Sequence, residues 1–370
     1  MMEQGGAVHN FTKAEGASIP IFARFPDLEE RLPRFHLGNF PTPVERLTHL
    51  GHGNLWIKRD DLTSDIYGGN KVRKLEFLLG DALKRRRRKI ITMGGIGTNH
   101  GLATAIYARR AGLACRLILF PQPVNDNVRR NMLLFCRYGA ELRCRKGPLA
   151  AGAWLLLAER LLNPRGYILE AGGSSPVGTL GFVNAMLELK DQVDAGLLPE
   201  PRYIICPVGS NGTMAGLSLG ALLAGLATTV VGVRVTMERL GPVELSSAKA
   251  MERLMTRTLA LLRQRSAMIP RVSIPPQRIL GDYLGDGYGC ATDKCLRAIE
   301  LLRDREGIAL DPTYTGKAAA ALLDFIAEPG HAKEPVLYWH TYSSADLAER
   351  LRGLDCGMLP PDLRRLYQGG

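Results

Sequence analysis

From Tyr203 to Val233 the chain carries no charged side chain. A stretch of that length must be shielded from water, either by lipid or by a protein core. Pro207-Val208-Gly209-Ser210-Asn211-Gly212 interrupts it, and Thr228-Thr229 interrupts it again, so a single membrane span does not account for it. A buried strand, a glycine-rich turn, a buried helix and a second buried strand do. That is the pattern of a core βαβ unit, whose parallel strands are covered on both faces.

The rest of the chain keeps the same alternation. Strand-like runs occur at Leu55-Trp56-Ile57, Ile90-Ile91-Thr92, Leu117 to Phe120, Tyr167-Ile168-Leu169, Val230 to Val235 and Val336 to Trp339. Between them Leu75, Leu78, Leu79, Ala82 and Leu83 fall on one helical face. Helices are also expected over residues 100–111, 128–138, 151–162, 180–193, 213–226, 245–265 and 291–306. Residues 266–282, with Pro270, Pro275 and Pro276, read as a loop. Strands alternating with helices predict an α/β fold with mainly parallel sheets. At 370 residues the chain has room for about two domains.

Composition excludes several classes. Hydrophobic residues make up 46 %, too many for a disordered chain. The net charge of +12 allows anionic partners. Its densest cluster, Lys84-Arg85-Arg86-Arg87-Arg88-Lys89, has no interleaved aromatic residue and runs straight into an apolar strand. It reads as a solvated helix end, not as a nucleic-acid contact. Seven scattered cysteines without a CxxC pair fit a reduced, cytoplasmic chain. Residues 1–20 lack periodicity and an apolar signal run, and are expected to form a mobile arm.

Ligands of α/β folds sit beyond the carboxyl ends of strands, where turns enter helices. Three turns stand out. Gly68-Gly69-Asn70-Lys71 precedes the Leu75 helix. Lys71 there is either a solvated charge or a lysine aimed into a cleft, able to form a Schiff base with a carbonyl cofactor. In Thr92 to His100, Thr98 or Asn99 is suited to cap a helix, and the same exposed N–H groups suit a carboxylate. In Pro207 to Thr213, backbone N–H groups suit a phosphate. Metal ligation finds no support: there is no HExxH, and His49 and His52 have no cysteine or acidic neighbours. A Schiff-base lysine, a phosphate cradle and a carboxylate-binding helix start are the parts of a pyridoxal phosphate site.

The run Lys58-Arg59-Asp60-Asp61-Leu62-Thr63, followed by Gly68-Gly69-Asn70-Lys71-Val72-Arg73-Lys74-Leu75-Glu76, resembles the 1-aminocyclopropane-1-carboxylate (ACC) deaminase / D-cysteine desulfhydrase family of pyridoxal phosphate (PLP) enzymes. Phe40-Pro41-Thr42-Pro43, Gly172-Gly173-Ser174, Gly287-Tyr288-Gly289 and Leu310-Asp311-Pro312-Thr313-Tyr314-Thr315-Gly316-Lys317-Ala318 extend the likeness in order. The resemblance implies a tryptophan-synthase-β-like fold. It divides the chain into a large PLP-binding domain (21–74 plus 176–370) and a small domain (75–175). It also implies a homodimer with a small amino acid as substrate, and neither nucleic acid nor membrane as partner.

The resemblance also assigns roles. Lys71 would carry PLP, and Lys74 would help bind its phosphate together with Gly209, Ser210, Asn211, Gly212 and Thr213. Asn99 would touch the cofactor's phenolic oxygen, and Thr315 its pyridine nitrogen. Tyr314 and Tyr288 would stand beside the substrate, and Thr98 would take part in proton traffic. ACC deaminases tend to carry Glu at position 315 and desulfhydrase-type members Thr, so Thr315 favours β-elimination over ring opening. This makes D-cysteine the expected substrate, ahead of ACC or another β-substituted (for example sulfonated) amino acid. A non-catalytic PLP-binding protein is the reading from outside the enzymes. Departures fall on the substrate side: Gly97 replaces a Gln, Thr98 a Ser, Gly101 often an Arg, and Tyr342-Ser343 a pair of glycines.

Overall fold

The computed structural model describes residues 18–241 and 243–368. Residues 1–17, most of the expected arm, lie outside them, and Pro20–Arg24 is already a short helix with Ile21 and Phe22 buried. In chain order the strands are β1 (Val44–Arg46), β2 (Leu55–Arg59), β3 (Lys89–Gly95), β4 (Ala114–Phe120), β5 (Glu141–Cys144) and β6 (Gly166–Ile168). They continue with β7 (Tyr203–Val208), β8 (Thr229–Arg234), β9 (Arg239–Leu240), β10 (Val243–Glu244), β11 (Arg278–Leu280) and β12 (Val336–His340).

These strands form two main sheets. The larger has six strands in the order β1-β2-β12-β7-β8-β11, and the smaller has four in the order β5-β4-β3-β6. Only β1 runs antiparallel within them. β9 and β10 pair as a separate two-stranded ribbon. The expected α/β architecture with mainly parallel sheets is what the chain forms. Its charge-free stretch supplies β7, the Gly212–Ala224 helix and β8, and both strands lie inside the larger sheet with neighbours on each side. Parallel strands need crossovers, and the helices that provide them cover the faces.

Three helices converge beneath the site, and glycines set how closely. A Cβ on Gly216 would lie 2.4 Å from Phe182 Cβ, and one on Gly220 2.6 Å from Met186 Cβ. These glycines bring the Gly212–Ala224 helix against the Pro176–Asp194 helix. Gly181 does the same toward the Asn70–Lys84 helix, where a Cβ would lie 2.2 Å from the Arg73 carbonyl. Buried charges complete the joint. Arg73 donates to both Asp60 and Glu188, and Lys58 donates to Glu188 and Gln192. Trp339 Nε1 donates to Asp60 from β12. Both carboxylates are thus paired and hydrogen-bonded, which a buried ion pair requires.

Three boundaries differ from expectation. Residues 266–282 are not all loop, because Arg278–Leu280 forms β11, parallel to β8. Three residues next to paired prolines carry too little periodicity to show as a strand. The 151–162 helix is broken by a π-helical turn at Trp154–Ala158, where Trp154, Arg116 and Asn163 grip the buried Glu159 carboxylate. The 245–265 helix starts only at Ala248, because the Ser247 hydroxyl accepts from Ala250 N and caps it. The apolar cluster around the smaller sheet also takes in Leu37, Tyr67, Leu347, Leu359 and Leu363, so segments before and after the sheet's own strands return to it. Among the described residues no helix is long and apolar enough to cross a membrane.

Candidate active site

The carboxyl ends of β2, β3 and β7 lead into the three turns, and the end of β12 meets the first of them. Gly69 precedes the Asn70–Lys84 helix with φ +91°, and a Cβ there would lie 2.7 Å from the Thr341 carbonyl. Only glycine fits that position on both counts. Asn70 N donates to the Thr341 carbonyl, which seats the helix start on the end of β12. Lys71 Nζ donates to Asn70 Oδ1 (3.0 Å), and Asn70 Nδ2 donates to Thr213 Oγ1 (3.1 Å). Asn70 therefore ties the lysine to the third turn. Burial pushes the Lys71 ammonium down to about 8, against the opposing attraction of Asp311. A substantial neutral fraction near neutrality is what a nucleophilic lysine needs.

One helical turn further on, Lys74 points at the Gly212 helix start. Its Nζ donates to the Gly172 carbonyl (3.2 Å) and to Ser174 Oγ (3.3 Å). Among the described residues it makes no ion pair, and burial, with Lys71 beside it, holds its pKa well below the usual range. Ser174 Oγ donates to Ser210 Oγ (2.8 Å) and accepts from Gly212 N (3.1 Å). A Cβ on Gly212 would lie 2.9 Å from Lys74 Nζ and 2.6 Å from Ser174 Oγ. Asn211 adopts φ +65° to turn the chain into the helix, and its Nδ2 donates to the Leu245 carbonyl. The buried Lys74 amine with only neutral partners, three hydroxyls and a helix N-terminus that its own N-cap residue Asn211 leaves uncapped form an anion cradle. The phosphate of PLP fits it, and the carbonyl-reactive Lys71 stands beside it.

The tyrosines close the opposite side. Tyr288 and Tyr314 hydroxyls share a 2.6 Å hydrogen bond with their rings edge to face. Burial, with Tyr288 alongside, holds Tyr314 well above its ordinary pKa, so both remain protonated donors. A Cβ on Gly209 would lie 3.2 Å from the Tyr314 ring, so this glycine lets the tyrosine cover the cradle loop. Thr315 is fully buried. Its hydroxyl donates to Asp311 Oδ1 (2.7 Å) and accepts from Asp311 N (2.8 Å). That hydroxyl is thus committed within the protein, and the nearest charge behind it is Asp311. Lys317 Nζ donates to the Leu284 and Gly287 carbonyls, which holds the loop that carries Tyr288.

Asn99 lines a pocket together with Tyr288, Tyr314, Asp311 and Tyr342. Thr98 is placed differently. Its hydroxyl accepts from Gly101 N (3.2 Å) as the cap of the Asn99–Arg110 helix, and it is not among the pocket-lining residues. A Cβ on Gly101 would lie 2.4 Å from the Thr98 methyl, so these two departures from the family pattern belong together. The fold therefore brings Lys71, Lys74, Asn99, Tyr288, Tyr314 and residues 209–213 to one site, with Thr98 and Thr315 turned toward protein partners. Sequence reasoning missed Asn70, Ser174, Gln122 and Asp311 as site residues. The first two and Asp311 lie inside the motif strings already quoted, but Gln122 carries no local signal.

Comparison with known proteins agrees with this geometry. Residues 35–341 match the model of the family described as pyridoxal-phosphate dependent enzyme. A Pyrococcus abyssi protein provisionally named 1-aminocyclopropane-1-carboxylate deaminase is 37 % identical over 85 % of this chain and 92 % of its own. The D-cysteine desulfhydrase of Klebsiella pneumoniae is 35 % identical over 84 % of this chain and 94 % of its own. A crystal structure described as an ACC deaminase homologue superposes with a TM-score of 0.75 at 31 % identity, covering 90 % of this chain and 99 % of that one.

Proposed function

Because the chain belongs to the pyridoxal-phosphate-dependent enzyme family, we propose that it is a lyase that cleaves D-cysteine to pyruvate, sulfide and ammonia. One observation carries the reading: a buried lysine lowered to about 8 is tied through Asn70 to the turn that forms an anion cradle, and Tyr314, hydrogen-bonded to Tyr288, covers that turn.

Lys71 would hold the cofactor, and Lys74, Ser210, Asn211, Gly212 and Thr213 its phosphate. When bound, PLP supplies an electron-withdrawing ring that takes up the charge left at the substrate's Cα. The Lys71 amine would accept the Cα proton. The Cα–H and Cβ–S bonds break, a Cα=Cβ bond forms, and sulfur leaves with the electron pair. The Tyr288–Tyr314 pair would protonate it. The enamine released takes up a proton at Cβ and water at Cα, giving pyruvate and ammonia. Thr315 brings no charge to the cofactor. Elimination tolerates that better than ring opening, because departure of a thiolate relieves the carbanion as it forms.

The same reading takes the two main sheets as the cores of two domains, 21–74 plus 176–370 and 75–175. It places a homodimer in the cytoplasm, in line with seven unpaired cysteines. Arg85 to Arg88 take no nucleic acid. They project into water at a helix end, with Arg85 paired to Asp81 and Arg87 to the Pro164 carbonyl. Ammonia and 2-oxo acid release from D- and L-amino acids and from ACC tests the assignment. D-Cysteine is expected to exceed all of them. A faster reaction with ACC would overturn it in favour of a deaminase, and PLP binding with no turnover of any of them in favour of a non-catalytic carrier.

A further inference from the structure

The pocket wall that faces the tyrosines is built from carboxamides: Asn99, Gln122, Asn125 and Asn127 line it together with Gly97. Gly97 stands where the resembling family has a glutamine, and nothing larger fits there. A Cβ on Gly97 would lie 2.5 Å from Val128 Cγ2 and 2.8 Å from Val128 Cα, which is backbone and cannot swing away. Gln122, just beyond β4, reaches across the neighbouring glycine. A Cβ on Gly95 would lie 1.8 Å from Gln122 Oε1, so that side chain lies where any residue but glycine would put its own.

Two hydrogen bonds set which end of each amide is free. Gly97 N donates to Gln122 Oε1 (3.4 Å), and among the described residues Gln122 Nε2 has no hydrogen-bond partner. Asn131, fully buried, donates through Nδ2 to both the Gly97 carbonyl (2.8 Å) and Asn99 Oδ1 (3.0 Å). Among the described residues Asn99 Nδ2 has no hydrogen-bond partner. The wall thus offers N–H groups, where an unconstrained amide offers either end.

Charge orients what binds. The charged side chain among the pocket-lining residues is Asp311, and it lies on the side of Tyr288 and Tyr314. A substrate carboxylate is repelled from that side. It is attracted to N–H donors and to the positive end of the Asn99–Arg110 helix.

We propose that Gln122 is a substrate-binding residue that donates through Nε2 to the amino acid's α-carboxylate, supplying from the end of β4 the amide that position 97 lacks. The substituent to be eliminated then faces Tyr288 and Tyr314. This rests on the reading of the site as one for an amino acid. It does not depend on which substituent leaves.

The test uses holoenzyme and two probes without a leaving group, alanine and ethylamine, which share a carbon skeleton and differ by the carboxylate. Binding is read from the visible spectrum of the bound cofactor and by calorimetry, with the alanine enantiomer that wild type binds more tightly. In Gln122→Ala, alanine is expected to bind roughly tenfold more weakly, the size of one lost charge-assisted hydrogen bond. Ethylamine binding and PLP affinity stay unchanged. Gln122→Glu, the same shape with a negative charge, is expected to lose more, and Gln122→Asn less. Unchanged alanine binding in Gln122→Ala overturns the proposal, as does a parallel loss for ethylamine or failure of wild type to bind either alanine. Normal alanine binding without turnover of D-cysteine would instead count against the assigned reaction while leaving Gln122 in place.

Discussion

Two glycine-rich turns face each other across the site, and their glycines do opposite work. In the 209–213 turn, the absent side chain leaves room for polar groups. Gly212 makes space for Lys74 Nζ and Ser174 Oγ, and Gly172 opposite makes space for Ser210 Oγ. Each of those atoms is a donor or hydroxyl that an anion can use. In the 94–101 turn the space is taken by side chains from elsewhere: Thr98 against Gly94 and Gly101, Gln122 against Gly95, and Val128 against Gly97. The first turn is open toward a phosphate, and the second is packed shut from behind. The comparison teaches that a glycine in a ligand-binding turn is not by itself a sign of ligand approach. The atom that would meet its Cβ decides.

The largest effect is expected where the two turns meet. Lys71→Ala should lower turnover by roughly 10²–10⁴-fold, the span for loss of a positioned proton-transfer group. It should also abolish borohydride-fixed cofactor on the peptide containing residue 71. An adduct mapped to Lys74 or any other lysine would refute the assignment.

Beneath both turns lies the buried Arg73–Asp60–Glu188–Lys58 network. Glu188→Gln leaves Arg73 and Lys58 short of a counter-charge and should cost about 3–5 kcal/mol of stability, measured by urea unfolding. Burial acts to raise the Glu188 carboxyl, but Arg73 and Lys58 together hold it at about 2, below the ordinary 4.5. Its contribution to stability is therefore complete above about 4.5 and is lost as pH falls from there through about 2. The variant should lose that part of the acid dependence. An identical acid limb in both proteins would remove Glu188 as its source.

A matched pair of substitutions divides the two turns directly. Gly212→Ala puts a methyl into the cradle and should weaken PLP roughly tenfold, about 1.4 kcal/mol, with little change in the fold. Gly97→Ala presses on the Val128 backbone and should cost about 1–3 kcal/mol of stability, as overpacking does. Its PLP affinity should stay near that of wild type. Cofactor titration and thermal unfolding of both variants read the difference. Equal loss of cofactor affinity in the two would erase the contrast between an open turn and a filled one.

The first turn was legible in the sequence and the second only in part, for a physical reason. The cradle joins distant segments, but each brings its part in a short string, Gly209 to Thr213, Gly172 to Ser174, and Lys71 with Lys74 a helical turn apart, so short strings carry it. The alternation of strands and helices was legible for the same reason, because apolar periodicity is local. Gln122, Val128 and Asn131 act on Gly95, Gly97 and Asn99 from more than twenty residues away. No local pattern marks such a pairing. Thr98 was legible as a helix cap, which is what its hydroxyl does by accepting from Gly101 N, while its part in proton traffic came only from its match to a family serine. β11 was missed because three residues beside β8 need the sheet itself to define them.

The smallest effect concerns the charge that the two turns share. Burial lowers Lys71 to about 8, and Asp311 acts in the opposite direction by favouring its ammonium form. Capture of PLP by the apoprotein requires the neutral amine, so its rate should rise with pH to a plateau with a midpoint near 8. In Asp311→Asn the attraction is gone, the ammonium is disfavoured further, and the midpoint should move to lower pH. Linkage gives a second readout in the same apoprotein. Between about 8 and the ordinary 10.5 the unfolded chain binds this proton more tightly than the folded one, so Lys71 makes stability increase as pH rises through that window. Replacing Lys71 by Met should flatten that rise, because a side chain of similar length no longer titrates. A midpoint that moves upward in Asp311→Asn would mean that the carboxylate acts on Lys71 through the hydrogen bonds that start the Thr315–Ala327 helix, and not through its charge.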